Sequence, residues 1–138
     1  MSAYLGLDFG RERIGVAVSD ESGTIASGLL CLRFQSQKGL LEDLRKLAAE
    51  YKPAAFVAGL PKTLDGRIGP SAEFVMKHVD WLRPHFETEW VYWDERLTTA
   101  EVERMLIAAD VSRERRREVR DQLAAQRILQ GYLDSRRT

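Results

Sequence analysis

Three apolar segments open the chain, and the connections between them are too short for any pairing other than antiparallel. The segments cover residues 4–10, 14–19 and 24–32, and turn residues separate them. Large and small apolar residues alternate in the second segment, which is the period-two pattern of a strand. Because parallel strands need a crossover of a dozen or more residues, these segments predict an antiparallel meander.

Beyond the meander the apolar spacing becomes helical and alternates with continuous apolar runs. Helices are predicted over residues 40–51 and 72–82, with Pro53 and Pro84 ending them. The apolar runs at 54–59 and 90–93 predict strands buried on both faces, and a loop over residues 60–70 lies between the two halves.

A helical region closes the chain. A capping box at Thr98–Glu101 predicts a helix that reaches Ala109, and Ser112 is a candidate cap for the last helix. The order β-β-β-α-β-α-β-α predicts an α/β fold with a five-stranded mixed sheet and helices on both faces. We expect one domain over residues 1–138.

Composition and charge indicate the compartment and the kinds of partner that we expect for this chain. The chain has 21 Lys and Arg against 21 Asp and Glu, so its net charge gives no general preference for nucleic acid. No apolar run approaches the roughly 20 residues that cross a bilayer, and no signal peptide is visible, so we expect no membrane association. The single cysteine, Cys31, lies in an apolar run as a small hydrophobic residue, and the cytoplasm is the expected compartment.

Acidic residues stand at the ends of three predicted elements. Asp8 ends the first strand, Asp94 or Glu95 ends the last strand, and Asp121 begins the inward stripe of the last helix. Asp8 could instead accept hydrogen bonds in the following turn, and Asp121 could satisfy free N–H groups of a first helical turn. Because the carboxyl ends of strands in an α/β sheet form sites, we expect the three acids to meet at one edge.

A carboxylate cluster of this kind needs cations. Carboxylates in mutual contact repel each other, and Mg²⁺ or Mn²⁺ relieves that repulsion while activating water for attack on a phosphodiester.

Arginines concentrate just before the acid of the last helix. Five arginines (113, 115, 116, 117 and 120) lie within residues 111–120, against two glutamates. Either they form a solvated helix face or they contact phosphates, and phosphate contacts would justify cations at a helix N-terminus.

The ordered motifs resemble one family. Leu5-Gly-Leu-Asp-Phe-Gly, Arg13-Ile-Gly-Val-Ala-Val-Ser-Asp, Gly59-Leu-Pro, Leu64-Asp-Gly, Asp94-Glu-Arg-Leu-Thr-Thr and Asp121-Gln-Leu-Ala-Ala with Ile128-Leu-Gln are similar to the YqgF (RuvX) family. The resemblance runs from about Tyr4 to Asp134. Lys62 departs from it, because family members often have an apolar residue there.

The resemblance implies an RNase H-like fold and a metal-dependent nuclease. The family is described as a Holliday junction resolvase and, in bacteria, as the nuclease that matures the 5′ end of 16S ribosomal RNA. It implies Asp8, Glu95 and Asp121 as catalytic metal ligands for Mg²⁺ or Mn²⁺, with Glu95 chosen over Asp94 on the resemblance alone. The expected partner is pre-ribosomal RNA or branched DNA, and a resolvase would act as a homodimer. The residues expected to bind nucleic acid are Arg11, Arg13, Lys62, Arg96, Arg113, Arg115, Arg116 and Arg117.

Two other functions stay open at this point. Leu7-Asp8-Phe9-Gly10 also resembles the phosphate-binding hairpin of the actin, heat-shock chaperone and sugar-kinase superfamily, which would make the protein a nucleotide-binding enzyme. A non-catalytic module that binds structured nucleic acid is the second alternative.

Overall fold

A computed structural model describes residues 3–94 and 113–136 and contains a five-stranded mixed sheet. The strands are β1 (Leu5–Phe9), β2 (Arg13–Ser19), β3 (Ala26–Arg33), β4 (Ala55–Leu60) and β5 (Glu89–Asp94). They lie in the order β3-β2-β1-β4-β5, with antiparallel pairing from β3 to β1 and parallel pairing from β1 to β5. The predicted meander and the predicted mixed sheet are confirmed.

The described helices are α1 (Gln37–Tyr51), α2 (Pro70–Leu82) and α3 (Arg113–Ser135), and a short 3₁₀ turn (Arg83–His85) follows α2. The first helix starts earlier than its apolar spacing predicted, because the Ser36 side chain accepts a 3.0 Å hydrogen bond from the Gly39 amide and caps it. It ends where Pro53 predicted, with Lys52 in the left-handed conformation at φ 46°.

Helices cover both faces of the sheet. Leu5, Leu7 and Phe9 of β1 pack with the buried leucines of α1 and the buried valines of α2 on one face. Ala17 of β2 and Val57 of β4 pack with α3 on the other. Because side chains alternate along a strand, β1 contributes to both layers.

The last helix buries the stripe that its spacing predicted. Its core positions are Ala124, Ala125, Ile128, Leu129 and Leu133. Asp121 stands at the start of this stripe and is half-buried. The predicted capping box at Thr98 and the predicted cap at Ser112 lie outside the described residues.

Candidate active site

Asp8 lies one residue before the end of β1, on the face of the sheet that α3 covers. Its neighbours Leu7 and Phe9 are buried against α1 and α2, so strand alternation directs Asp8 to the opposite face. Asp8 is half-buried, and Gly15 of β2 is its partner in the antiparallel ladder. The carboxylate therefore stands at the carboxyl end of a strand that pairs in parallel with β4, where sites form in α/β sheets.

Glycines let α3 approach the sheet closely beside Asp8. A Cβ added at Gly15 would lie 2.0 Å from the carbonyl oxygen of Asp121 and 3.2 Å from its Cα. A Cβ added at Gly6 would lie 2.7 Å from the Cβ of Leu129. Real Cβ atoms do not approach other atoms so closely, so glycine at these strand positions fixes the distance between the helix backbone and the sheet. Asp121 is thereby placed against the strand pair that carries Asp8.

Asp121 is held from the sheet by Arg13. The Nε of Arg13 donates a 2.9 Å hydrogen bond to Oδ2 of Asp121, and the two side chains are 17% and 15% exposed. The Cys31 thiol lies 3.8 Å from the same oxygen, and Nε of Arg120 lies 3.9 Å from Oδ1. A charge-assisted hydrogen bond in a half-buried setting fixes the orientation of the carboxylate.

The two carboxylates influence each other electrostatically. The pKa of Asp8 is raised from 3.8 to about 7, chiefly by burial of its carboxyl group and then by the nearby negative charge of Asp121, while Arg120 opposes the rise. Burial and the Asp121 carboxylate also raise the pKa of the Cys31 thiol to about 11. A carboxyl group near Asp121 that titrates around neutrality indicates a site where a bound cation would stabilise the ionised carboxylates.

The last strand ends at the same edge of the sheet. Asp94 is the final residue of β5 and pairs in register with Leu60, the final residue of β4. Since β1, β4 and β5 are parallel, their carboxyl ends share one edge. Glu95 and Arg96, both predicted site residues, lie outside the described residues. The choice between Asp94 and Glu95 as metal ligand stays a prediction.

Asp8 and Asp121 together fit a hard divalent cation. Both offer carboxylate oxygens, the ligand type that Mg²⁺ and Mn²⁺ prefer, and a cation would offset both the burial and the Asp121 charge that raise the pKa of Asp8. Within residues 3–94 and 113–136, no group of three His, Cys, Asp or Glu side chains is placed to hold a metal ion. The third predicted ligand, Glu95, falls beyond those ranges.

Arg11 lies on the other side of the β1 end from the acids. Its guanidinium group is 5.6 Å from the centre of the Phe74 ring, and it borders a cleft of about 200 Å³ between the β1–β2 turn and the start of α2. Gly10 closes that turn through a 2.9 Å hydrogen bond from its amide to the carbonyl of Arg13. Lys62 is half-buried and follows Pro61, which lines the same cleft.

The arginine-rich segment forms the first turns of α3. Arg115 and Arg117 are exposed, whereas Nε of Arg116 is buried and has no hydrogen-bond partner within the described part of the chain. Arg115 pairs with Glu118 at 3.3 Å and stands six residues before Asp121, about 9 Å along the helix axis. Arg113 begins the helix. These cations therefore precede the acid on the same helix.

Comparison with known proteins agrees with the ordered motifs. A family model described as "RuvX: Holliday junction resolvase" matches residues 2–135. The chain belongs to the RuvX family. Curated relatives from Thermoanaerobacter pseudethanolicus and Desulforudis audaxviator are each 47% identical over 134 residues, covering 96% and 97% of this chain and 96% and 95% of the relatives. A Clostridium botulinum relative is 43% identical over 131 residues, covering 95% of this chain and 96% of its own length. All three carry the provisional name of pre-16S rRNA nuclease.

Solved structures show the fold that this RuvX-family chain adopts. Fowlpox virus resolvase, in a complex with Holliday junction DNA, superposes with a TM-score of 0.60 at 8% identity and covers 99% of both chains. Thermus thermophilus RuvC, with a Holliday junction substrate, gives a TM-score of 0.60 at 11% identity, over 99% of this chain and 96% of that one. The predicted RNase H-like fold is confirmed.

Sequence patterns do not identify three residues that contact or border Asp121 in this RuvX-family chain. Gly15 was interpreted only as the small residue of an alternating strand, although glycine inside a strand often marks a close backbone approach. Cys31 was interpreted as a core residue, yet it touches Asp121. No sequence motif marks Arg33, although it pairs with Arg13 in the β2–β3 ladder and lines a cleft with it. A bulge between Val16 and Ala17 shifts the β2–β3 ladder by one residue, so a register extended from the connecting turn would pair Arg13 with Leu32 instead.

The described helices of this RuvX-family chain all fall short of the length and apolarity needed to cross a membrane.

Proposed function

We propose that this protein is a metal-dependent endonuclease that hydrolyses phosphodiester bonds in structured nucleic acid and matures the 5′ end of pre-16S ribosomal RNA. The observation that carries the proposal is the placement of Asp121 against the strand pair of Asp8, whose pKa is raised by burial and then by the Asp121 carboxylate. Membership of the RuvX family and the name carried by relatives at 43% and 47% identity support the nuclease activity and the ribosomal RNA substrate.

The chain's own residues divide the work at this edge of the sheet. Asp8 and Asp121, with Glu95 as the proposed third ligand, would hold one or two Mg²⁺ or Mn²⁺ ions. Such an ion would act as a Lewis acid on the phosphate and would lower the pKa of a bound water molecule. Arg13 orients Asp121 through the 2.9 Å hydrogen bond to Oδ2. Half-burial of both carboxylates limits competing water.

The remaining cations are proposed to hold the nucleic acid. Arg115 and Arg117 are exposed at the start of α3, and Arg11 is exposed beyond the end of β1. Phosphates bound at these positions would place the substrate backbone across the edge where Asp8 lies. Lys62, Arg96, Arg113 and Arg116 complete the proposed set of phosphate contacts.

A Holliday junction resolvase is the second candidate function, because the matching family model carries that description. A resolvase makes paired, symmetric cuts, so this activity would require a homodimer on four-way DNA. The two functions share the same chemistry and differ in the nucleic acid and in the number of protein copies. A module that binds nucleic acid without cutting it is the third.

One side-by-side experiment separates these functions. Wild-type protein is incubated with Mn²⁺ and either an RNA spanning the 5′ end of a 16S precursor or a mobile four-way DNA junction. We expect cleavage of the RNA at the mature 5′ end and little cleavage of the junction. Symmetric paired cuts in the junction with intact RNA would support the resolvase instead. Binding of either nucleic acid without metal-dependent cleavage would leave only the non-catalytic module.

A further inference from the structure

Beside the acids, on the β3 side, lies a second cleft that the proposed mechanism does not use. It has a volume of about 310 Å³ and is lined by Arg13, Cys31, Arg33 and Glu118. Two of these residues, Arg13 and Cys31, also touch Oδ2 of Asp121, so the cleft borders the candidate active site directly. A ligand in it would lie next to the reacting groups.

Among the charged side chains that line this cleft, one cation forms no ion pair within the described residues. Arg13 is paired with Asp121 at 2.9 Å, and Glu118 is paired with Arg115 at 3.3 Å. Arg33 is exposed, and its side chain makes no ion pair or hydrogen bond with the described part of the chain. The excess charge in the cleft is therefore positive and belongs to Arg33, which selects an anion as the ligand.

Arg33 lies next to the residue that holds Asp121. Arg33 and Arg13 are direct partners in the antiparallel ladder, where partner Cα atoms lie about 4.5–5.5 Å apart. A guanidinium group binds phosphate through two parallel N–H bonds, so Arg33 suits this task better than a lysine would.

We propose that Arg33 forms a subsite for a backbone phosphate next to the cleaved bond, on the strand whose scissile phosphate meets Asp8 and Asp121. This inference rests on the proposed nuclease function and adds to it a substrate-positioning residue. Arg13 forms the wall between the subsite and the metal ligands, because its guanidinium group is already engaged by Asp121. The subsite reads no base, so it acts on RNA and DNA alike.

Substitutions of one arginine and a matched control test the subsite. Arg33→Gln removes the charge, Arg33→Lys keeps the charge without the two-pronged geometry, and Arg45→Gln removes an equally exposed charge from α1 on the opposite face. Affinity for the 16S precursor RNA and for the four-way junction is measured against KCl concentration in an Asp8→Asn background, so that nothing is cut. Thermal unfolding shows that each variant is folded.

We expect Arg33→Gln to weaken binding about tenfold at low salt, as for a lost charge-assisted hydrogen bond. The slope of log affinity against log salt should fall by about 0.7–0.9, the value of one phosphate contact. Arg33→Lys should keep the wild-type slope and lose part of the affinity, and Arg45→Gln should change neither. A wild-type slope in Arg33→Gln would overturn the subsite.

Neutral methylphosphonates locate the contact. They replace, one at a time, the phosphates within two nucleotides of the mature 5′ end in the 16S precursor RNA. One replacement should weaken binding when Arg33 is present and have no effect in Arg33→Gln. Equal losses in both proteins at every position would contradict the inference. If cleavage does not depend on Arg33, the subsite proposal is wrong and the nuclease proposal stands. If binding depends on Arg33 but no Mn²⁺-dependent cleavage occurs, the subsite proposal stands and the nuclease proposal is wrong.

Discussion

Asp8 is the residue whose chemistry depends most on its surroundings. Its carboxyl group is placed on a strand end that is half-buried under α3, near a second carboxylate. Taken alone, an aspartate before a glycine turn is most simply a turn residue. The structure assigns the turn hydrogen bond to the Gly10 amide and the Arg13 carbonyl, and no hydrogen bond to a turn amide involves the Asp8 side chain within the described residues.

The raised pKa of Asp8 predicts an unusual pH dependence of stability in metal-free buffer. Well below its unfolded pKa of 3.8, the group is protonated in both the folded and the unfolded chain, so it costs nothing. Between about pH 4 and its folded pKa of about 7, the unfolded chain loses the proton first, and stability falls as pH rises. Above pH 7 the full cost remains. Asp8→Asn should therefore be more stable than wild type at pH 8, by roughly 1–3 kcal/mol, and show no such gain at pH 4.

Urea unfolding of both proteins at the two pH values, with EDTA present, measures this difference. Titrating groups remote from Asp8 cancel in the comparison. Mn²⁺ at pH 8 should raise the unfolding midpoint of wild type and leave that of Asp8→Asn nearly unchanged, because metal binds the folded state through the ionised carboxylate. If the difference in unfolding free energy between the two proteins is the same at both pH values, the pKa of Asp8 is not raised in the folded protein.

At the scale of elements, the site depends on how closely α3 lies on the β1–β2 hairpin. The apolar spacing of the last helix predicted which face would be buried, because periodicity is a local property of the sequence. The distance of approach was not predictable in the same way, since it depends on which residues of β2 face the helix. That information follows from strand register, which becomes certain only when the whole sheet is assembled.

Gly15→Ala tests the close contact. Its methyl group would stand 2.0 Å from the carbonyl oxygen of Asp121, so α3 must shift away from β2. We expect a loss of about 1–3 kcal/mol in the free energy of unfolding, as for other overpacked sites, and a large loss of cleavage because Asp121 moves with the helix. Urea unfolding and cleavage assays on the same preparation provide both values.

Gly39→Ala is the matched control for this substitution. Its methyl group would meet only the Ser36 hydroxyl oxygen, at 3.1 Å, and alanine favours the helix in which Gly39 lies. This variant should keep wild-type stability and cleavage. If Gly15→Ala behaves as Gly39→Ala does, the distance between α3 and the sheet does not set the geometry of the acids.

The first turns of α3 carry the next prediction. Charge reversal at Arg115 and Arg117, both exposed, should weaken binding of nucleic acid and reduce its salt dependence by up to one contact per residue. Arg116 is left intact because its buried Nε would make the variant a test of packing as well. Arg45 and Lys46, exposed on α1, provide a control with the same change in net charge. An unchanged salt slope would make the arginine-rich turns a solvated helix face.

At the scale of the whole molecule, the net charge of zero conceals a strong local segregation. Arg13, Arg33, Arg115 and Arg120 lie near the start of α3, where Glu118 and Asp121 are the acidic residues that pair with three of them. The order of elements and the family could both be predicted from the sequence, because motifs and periodicity can be recognised in the linear order of residues. The ion pair of Arg13 with Asp121 could not, since 108 residues separate the partners.

The most direct test of the central claim is Mn²⁺-dependent cleavage by wild type, Asp8→Asn and Asp121→Asn, with Asp43→Asn on α1 as the control. We expect Asp8→Asn and Asp121→Asn each to reduce cleavage by at least about a thousandfold, because water activation is lost. The fold and most of the nucleic-acid binding should persist, because the phosphate contacts remain. Asp43→Asn should cleave as wild type does. Undiminished metal-dependent cleavage by Asp8→Asn would contradict the account.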